Sequence, residues 1–133
     1  KVLGICLGMQ LLCNSSEEGN NNGLGIVDAD VVKISPNIES RIKVPHMGWN
    51  SIEVCRNNPL FDDQSEQKRF YFVHSYEFKA RSKEEIVATT NHGKEIVAVI
   101  AKDNILGLQF HPEKSQIPGL KIIRNFIEWD PLR

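Results

Sequence analysis

The chain has 133 residues and a mass of 15.1 kDa, which is enough for one domain or for a large part of one. Its 17 acidic and 16 basic side chains nearly cancel, so the sequence lacks the basic surplus typical of nucleic-acid binders. With 41% hydrophobic and 25% charged residues the composition is that of a folded protein, and no run of about 18 apolar residues could cross a membrane. The odd number of cysteines, three, argues against a secreted disulfide framework and predicts a reducing, cytoplasmic location.

The sequence starts directly with an apolar segment. Lys1 is not an initiator residue, and the apolar run Val2–Ile5 follows without the features of a signal peptide. This start predicts that residues 1–133 are the C-terminal part of a single domain. We therefore expect the N-terminal strands of that domain, and part of its functional site, to be missing from the chain.

The first half of the chain predicts strands around one short helix. Val2–Ile5 has the pattern of a buried strand, and the leucines that follow favour a helix that frays at residues 14–16. The Asn-rich and Gly-rich residues 17–25 predict a loop, and residues 26–34 alternate as in a strand. Beyond these we expect an irregular segment at 36–43, a loop with a tight turn at Gly48 at 45–50, and an edge strand at 51–54.

The second half predicts more strands and a terminal helix. After a loop at 56–63, strands are expected at 69–75, 86–90 and 96–101, and residues 105–110 should form a hairpin with the last of these. Leu120, Ile123 and Ile127, flanked by Ile122 and Phe126, recur at helical spacing and predict a C-terminal helix. Several strands with helices only near the two ends predict an α/β fold whose central strands point at one site.

The clearest chemical signal is the sequence Gly-Ile-Cys-Leu-Gly at residues 4–8. It matches the G-x-nucleophile-x-G turn between a strand and a helix, with Cys6 as the nucleophile. We expect Gly4 and Gly8 to remove side chains that would collide at the turn, and the helix N-terminus to favour the thiolate of Cys6. The N–H of Leu7 could donate to an oxyanion. The alternative is a buried, inert cysteine in a glycine-flanked turn.

A second signal is the tripeptide His111-Pro112-Glu113. In an extended segment His111 and Glu113 project to the same side, and Pro112 keeps the segment out of a helix. A carboxylate beside an imidazole fixes its tautomer and raises its basicity, as in a nucleophile–base–acid triad. A surface His next to a solvated Glu is the alternative. Together with the turn at Cys6, however, the tripeptide favours a triad of Cys6, His111 and Glu113.

The remaining cysteines and histidines carry weaker signals. We interpret Cys13 as a small core residue on the same helix as Cys6, and Cys55 as part of a loop. The cysteine spacing matches no zinc motif. His46, His74 and His92 are scattered along the sequence, and we expect none of them to bind a metal ion.

These motifs resemble those of class I (triad) glutamine amidotransferases. The strings are Gly-Ile-Cys-Leu-Gly-Met-Gln from Gly4 and Phe-His-Pro-Glu-Lys-Ser from Phe110. Within that family, Ser-Ser-Glu-Glu-Gly from Ser15, Val-Pro-His-Met-Gly-Trp-Asn from Val44 and Tyr-Phe-Val-His-Ser-Tyr from Tyr71 resemble the glutaminase subunits of imidazole glycerol phosphate synthase. The resemblance implies a flavodoxin-like mixed α/β sheet with flanking helices and covers nearly the whole chain.

The resemblance also implies a reaction. Cys6 would attack the side-chain amide of glutamine, and His111 would act as base and then protonate the leaving ammonia. Glu113 would orient His111, and water would release glutamate from the thioester. The family's substrate-binding positions match Gln10, Glu18, Ser75 and Tyr76. Taken singly, each of these four also has an ordinary structural interpretation.

The implied partner is the synthase (cyclase) subunit, a (β/α)8 barrel that would form a heterodimer with this chain and use its ammonia in histidine biosynthesis. The resemblance implies no metal ion and no organic cofactor. It assigns the barrel interface to Pro45, Met47, Trp49, Asn50 and Lys114.

Three alternatives stay open at this point. A paralogous subunit could supply ammonia to a sugar-modifying enzyme of surface-polysaccharide synthesis. A catalytically silent docking fragment is a second alternative, because the family's oxyanion loop precedes the elbow and is not in the chain. A third is an elbow-type cysteine hydrolase with another substrate, although such enzymes commonly have His where this chain has Leu7.

Overall fold

A computed structural model describes residues 1–19, 22–61 and 68–132. Parts of the predicted loops at 17–25 and 56–63 therefore lie outside the described residues. Within the described residues, the helices are α1 (Leu7–Gln10) and α2 (Gln116–Glu128), and 3-10 turns lie at Lys83–Glu85 and Pro112–Lys114. The strands are β1 (Val2–Ile5), β2 (Ser15–Ser16), β3 (Ala29–Lys33), β4 (His46–Val54), β5 (Arg69–His74), β6 (Tyr76–Ala80), β7 (Ile86–Asn91), β8 (Glu95–Lys102) and β9 (Ile105–Leu108).

The larger sheet has six strands in the order β1-β9-β8-β7-β4-β5. β1 pairs with β9 in parallel, and the other neighbours are antiparallel, so the predicted mixed sheet is confirmed. The hairpin predicted for β8 and β9 is also confirmed, because Lys102 pairs with Ile105. The sheet curls, since β5 at one end contacts His111, which follows β9. This curl brings the C-terminal ends of β1 and β9 close to β5.

A smaller sheet has the order β2-β3-β6. Its strand β6 was not predicted, although Phe78 within it is fully buried. An apolar cluster that includes Met9, Val31, Phe78 and Ile100 joins this sheet to α1 and to β8. The position of α1 is therefore determined by packing on both sheets, which matters because the helix is too short to be stable alone.

The main core lies around the six-stranded sheet. The rings of Phe70 and Phe110 stack at a centroid distance of 4.1 Å, and both pack in the same cluster as Leu108 and Ile122 of α2. Burial of each such side chain contributes about 2 kcal/mol. The aromatic strand β5 is thus anchored against the segment that leads into His111.

The predicted C-terminal helix is confirmed as α2, and the structure shows which of its apolar side chains are buried. Leu120 and Ile127 are 64% and 66% exposed, whereas Ile122 is buried and Phe126 packs against the core. Apolar residues occupy two adjacent faces of this helix, so periodicity alone could not choose between them. The ammonium of Lys1 donates to the carbonyl oxygens of Phe126, Ile127 and Trp129 and so satisfies the C-terminal end of the helix.

Two predictions about β4 are wrong. Residues 46–50 are not a loop but continue with residues 51–54 as one nine-residue strand, and that strand is not at an edge. It pairs with β5 through residues 46–51 and with β7 through residues 52–54. Gly48 lies within it at φ 119°, a conformation that suits glycine, so the glycine marks an irregular strand position rather than a turn.

Two smaller points concern the helices. α1 ends at Gln10, so Cys13 is not on the same helix as Cys6, although it is buried in the core as predicted. In the described part of the chain, no helix is both long and apolar enough to cross a membrane.

Candidate active site

The strand-to-helix corner at Cys6 has the predicted geometry. β1 ends at Ile5 and α1 begins at Leu7, and the N–H of Cys6 donates to the carbonyl oxygen of Leu108 at 2.7 Å. Cys6 itself has φ 52° and ψ −105°, a conformation that non-glycine residues adopt only under strain. Strained residues of this kind concentrate at functional sites.

The two glycines of the elbow differ. A Cβ atom on Gly4 would lie 2.6 Å from the carbonyl oxygen of Gly8, so the turn can close this tightly only with glycine at position 4. A Cβ on Gly8 would meet no atom within 4 Å. The steric requirement predicted for Gly4 is confirmed, and the one predicted for Gly8 is wrong.

The expected thiolate at Cys6 is not favoured. Burial raises the pKa of the Cys6 thiol, and the carboxylates of Glu113 and Glu18 raise it further, while the N–H of Leu7 and the amide of Gln109 act in the opposite direction. Desolvation is the largest of these effects, because burial disfavours the charged form of the thiol. The resting group is the thiol, and its use as a nucleophile requires a base.

Strand β5 brings the nucleophile and the base to the same place. The sulfur of Cys6 lies 3.8 Å from the carbonyl oxygen of Val73, and the N–H of His111 donates to the carbonyl oxygen of Tyr71 at 2.9 Å. Tyr71 and Val73 are two residues apart on one strand, which corresponds to about 7 Å. Cys6 and His111 therefore border adjacent parts of β5.

The imidazole of His111 is oriented by the carboxylate of Glu113. Its Nδ1 lies 3.2 and 3.0 Å from the two carboxylate oxygens, so Nε2 is the nitrogen that can exchange a proton. The two side chains are 20% and 46% exposed. Buried Ser115, for which the sequence suggested no role, accepts from the N–H of Tyr71 at 2.9 Å and donates to the carbonyl oxygen of His111 at 2.6 Å.

A cleft of about 270 Å³ opens beside α1. Leu7, Gln10 and Glu18, all predicted site residues, line it together. The side chain of Gln10 is nevertheless buried, and its Nε2 donates to the carbonyl oxygen of Tyr76 and to Oε1 of Gln109, both at 3.0 Å. The amide nitrogen of Gln10 is therefore held by Tyr76 and Gln109, and the lean of Gln10 over the nucleophile stays a prediction.

Ser75 and Tyr76 lie at the junction of β5 and β6. The carbonyl oxygen of Ser75 accepts from the N–H of Ile34 at 2.9 Å, and Tyr76 begins β6. Neither is among the described residues that line the cleft, and Tyr76 contacts the lining residue Gln10 through its carbonyl oxygen.

Comparison with known proteins agrees with this geometry. The family model for class-I glutamine amidotransferases matches residues 1–129. The chain belongs to this family. It is 49% identical over 127 residues to imidazole glycerol phosphate synthase subunit HisH 2 of Methanococcus maripaludis. This alignment covers 96% of the present chain and 62% of the relative. It is also 45% identical over 130 residues to subunit HisH of Ruegeria pomeroyi, over 97% of this chain and 61% of the relative.

Two solved structures show the same fold. PurLQS from Thermotoga maritima aligns with a TM-score of 0.66 at 19% identity, over 94% of this chain and 59% of that one. The glutaminase domain of CTPS from Trypanosoma brucei aligns with a TM-score of 0.60 at 20% identity, over 96% and 60%. This amidotransferase chain spans about three fifths of the length of the curated relatives that it matches.

The predicted interface residues of the amidotransferase chain divide into two groups. Met47 and Trp49 project from the outer face of β4 and are 61% and 41% exposed, and Pro45 and Lys114 are also exposed. Asn50 instead points inward, where its Nδ2 lies 3.1 Å from His46 Nε2 and donates to the carbonyl oxygen of Asn91 at 2.8 Å.

The sequence did not indicate that His46 and His74 form a buried pair. His46 Nδ1 lies 2.9 Å from His74 Nε2, and His74 Nδ1 lies 2.8 Å from the carbonyl oxygen of Tyr76. Burial is the main cause that lowers the pKa of His46 to about 3 and that of His74 to about 4. Both occupy inward-facing positions of β4 and β5. The alternation of buried and exposed residues would have indicated this pair only if residues 46–54 had been recognised as a strand.

Among the described residues no group of three or more His, Cys, Asp and Glu could hold a metal ion.

Proposed function

We propose that this chain is the catalytic part of a glutaminase subunit of imidazole glycerol phosphate synthase. It would hydrolyse glutamine to glutamate and ammonia. The observation that carries this proposal is the strained corner at Cys6, held next to the same strand that binds the backbone of His111. The names of the relatives at 41–49% identity support the choice of synthase.

The first half of the reaction follows from the properties of Cys6 and His111. Because its pKa is raised, the thiol of Cys6 keeps its proton until His111 Nε2 accepts it during attack on the glutamine amide carbon. A C–S bond forms, and the developing oxyanion accepts a hydrogen bond from the N–H of Leu7. The C–N bond then breaks, His111 returns the proton to the leaving nitrogen, and ammonia departs from a glutamyl thioester.

In the second half, water replaces the amine. His111 accepts a proton from the water, hydroxide attacks the thioester carbon, and the sulfur leaves and is protonated to give the thiol and glutamate. Glu113 keeps Nδ1 protonated throughout and stabilises the imidazolium that forms twice. The hydrogen bond between His111 Nδ1 and the Glu113 carboxylate is already present in the free protein, so forming it requires no reorganisation during the reaction.

The substrate would bind in the cleft beside α1. Glu18 offers a carboxylate for the ammonium group of glutamine. Gln10 is part of the cleft wall and contacts Gln109, whose amide nitrogen lies 3.7 Å from the sulfur of Cys6. Ser75 and Tyr76 complete the proposed substrate-binding set from the β5–β6 junction.

The synthase barrel would bind the exposed face of β4 as a heterodimer in the cytoplasm. Trp49 and Met47 are the proposed apolar anchors, and Pro45, Asn50 and Lys114 complete the set. The ring of Trp49 lies edge-on to that of Tyr71 at a centroid distance of 6.2 Å, and Tyr71 accepts the backbone hydrogen bond from His111. The proposed interface is thus directly behind the proposed base, which suits transfer of ammonia to the barrel.

The test is glutamate release from glutamine by the full-length protein, with and without the synthase subunit and its nucleotide substrate. We expect release that the synthase and nucleotide stimulate and that Cys6→Ala abolishes. The matched control Cys55→Ala should leave release intact, because Cys55 is exposed and its thiol contacts the carbonyl oxygen of Glu53. Release that ignores the synthase would contradict the histidine-pathway assignment. No release under any condition would contradict the glutaminase.

A further inference from the structure

Gln109 is a fully buried polar residue that the proposed reaction does not use. It lies between the end of β9 and His111, and its N–H donates to the carbonyl oxygen of Ala98 at 2.8 Å. Its side-chain Nε2 lies 3.7 Å from the sulfur of Cys6, within the range of a hydrogen bond to sulfur. A buried amide that contacts a nucleophile affects where the sulfur lies and how easily it loses its proton.

The orientation of this amide follows from its neighbours. The carbonyl oxygen of Tyr76 can only accept, so the group of Gln10 that faces it must be the NH₂. The same NH₂ lies 3.0 Å from the side chain of Gln109, which must therefore present its oxygen. The NH₂ group of Gln109 is then the end that faces the sulfur, as a donor.

The hydrogen-bond chain continues to β4. The carbonyl oxygen of Tyr76 also accepts from His74 Nδ1, so His74 Nε2 is an acceptor for Nδ1–H of His46. His46 Nε2 in turn accepts from Asn50 Nδ2. Every donor in this chain finds an acceptor when both histidines are neutral, so the chain has one consistent set of tautomers and holds Gln10 and Gln109 in place.

We propose that Gln109 is a positioning residue for the nucleophile: its amide holds the Cys6 sulfur in the site and stabilises the thiolate by donating a hydrogen bond. The carbonyl oxygen of Tyr76 fixes the orientation of this amide through Gln10, and the same oxygen also accepts from His74 of the buried histidine pair. A donor to the charged form favours that form, most strongly in a buried environment.

Other charged groups act on the same sulfur. Glu113 and Glu18 disfavour the thiolate, and the N–H of Leu7 favours it together with Gln109. The two carboxylates remain when Gln109 is changed, so the loss of its donor is not offset. The inference rests on the proposed function only for the role of Cys6 as nucleophile, because thiol ionisation can be measured without substrate.

The experiment is the pH dependence of alkylation by iodoacetamide in the full-length protein, followed separately at each cysteine by peptide mass spectrometry. Gln109→Met keeps the shape of the side chain and removes both hydrogen bonds. We expect the pH midpoint of Cys6 alkylation to move upward by about half a pH unit to one pH unit. The exposed Cys55 in the same molecule is the internal control, and its midpoint should not move.

Glutamine hydrolysis supplies a second measurement. With Gln109→Met, kcat should fall by about threefold to tenfold and KM should change little, because the residue does not line the cleft. An unchanged midpoint for Cys6 would overturn the inference even if the protein is an active glutaminase. A shifted midpoint in a protein that hydrolyses no glutamine would support the inference and contradict the proposed function.

A shift shared by Cys6 and Cys55 would indicate loss of the fold rather than loss of one hydrogen bond. In that case the variant Gln10→Met tests the inference. It leaves Gln109 in place but removes the Gln10 amide that orients the Gln109 side chain. The inference requires that Gln10→Met also raises the midpoint for Cys6 alone. An unchanged midpoint in this variant would overturn it.

Discussion

Two pairs of side chains that contain histidine lie at the chain's aromatic strand β5, and one of them includes His74, the last residue of that strand. His111 contacts a carboxylate, and both partners are partly exposed. His46 and His74 contact each other, and both are buried. In the first pair the carboxylate of Glu113 lies within hydrogen-bond distance of the ring. The second pair resists protonation, since burial and the neighbouring ring both disfavour a positive charge.

The difference shows how one residue type serves two purposes at one site. A histidine that exchanges protons needs a negative partner and access to the reactants. A histidine that only relays hydrogen bonds needs neutral partners and burial, because a stable tautomer gives a fixed arrangement of donors and acceptors. The following predictions test whether the two pairs differ in this way.

The largest effect should come from removing the proton-exchanging ring. We expect His111→Asn to lower kcat/KM for glutamine hydrolysis by roughly 10³-fold or more, because the raised pKa of Cys6 makes a base necessary. The measurement is glutamate release at pH 7.5. The matched control is His92→Asn, since His92 stacks on His46 and does not contact the triad. Comparable losses in both variants would contradict the distinction.

Neutralising the carboxylate should have a smaller effect. We predict that Glu113→Gln lowers kcat by about 10²-fold, since an amide can still hydrogen-bond to the ring but cannot stabilise the imidazolium. Glu128→Gln, an exposed change on α2, is the control and should retain full rates. A loss seen only in KM would contradict the role of Glu113 in the transition state.

The buried pair should make stability depend on pH. The pKa values of His46 and His74 lie below the ordinary value near 6.5, so the unfolded chain takes up protons at a pH where the folded chain does not. The free energy of unfolding should therefore fall as pH drops from about 6.5 to about 4, by on the order of 1 kcal/mol per histidine per pH unit. Urea denaturation at several pH values measures this.

The variant His46→Gln is the companion experiment for the buried pair. Its unfolding free energy should lose about 1–3 kcal/mol at pH 7, because a buried hydrogen bond is lost, and it should depend less steeply on pH. An equally steep dependence in this variant would show that other groups cause the acid sensitivity.

The smallest effect should be on the outer face of β4, opposite His46. We expect Trp49→Ala to weaken binding to the synthase subunit by about tenfold while the pH dependence of stability stays the same. Isothermal titration with purified synthase measures the affinity. Ile38→Ala, another exposed apolar residue, is the control. Unchanged affinity would remove Trp49 from the interface.

Local patterns predicted the elbow and the β8–β9 hairpin correctly. A β-branched run followed by glycines around a cysteine specifies a strand and a sharp corner, and a polar turn between two apolar runs specifies a hairpin. The closeness of His111 and Glu113 also followed from their spacing of two residues. Each of these features depends on residues that are near in sequence.

The features that were missed depend on distant contacts. Gly48 resembles a turn residue, and only the pairing of β4 with both β5 and β7 makes it part of a strand. The apolar faces of α2 are equivalent until one of them meets the core. The thiol pKa of Cys6 depends mainly on burial, and the contact with Gln109 joins residues 103 positions apart.

The curl of the sheet also determines when activity can arise during folding. The sulfur of Cys6 meets Val73 across 67 residues, and the backbone of His111 joins the same strand from the other direction. Contacts of such separation form late, since they require closure of long loops. Hairpins and helices can therefore be complete in a refolding chain that still hydrolyses nothing. Recovery of glutaminase turnover should lag behind the recovery of circular dichroism, and the interval between them measures the closure of β5 onto the ends of β1 and β9.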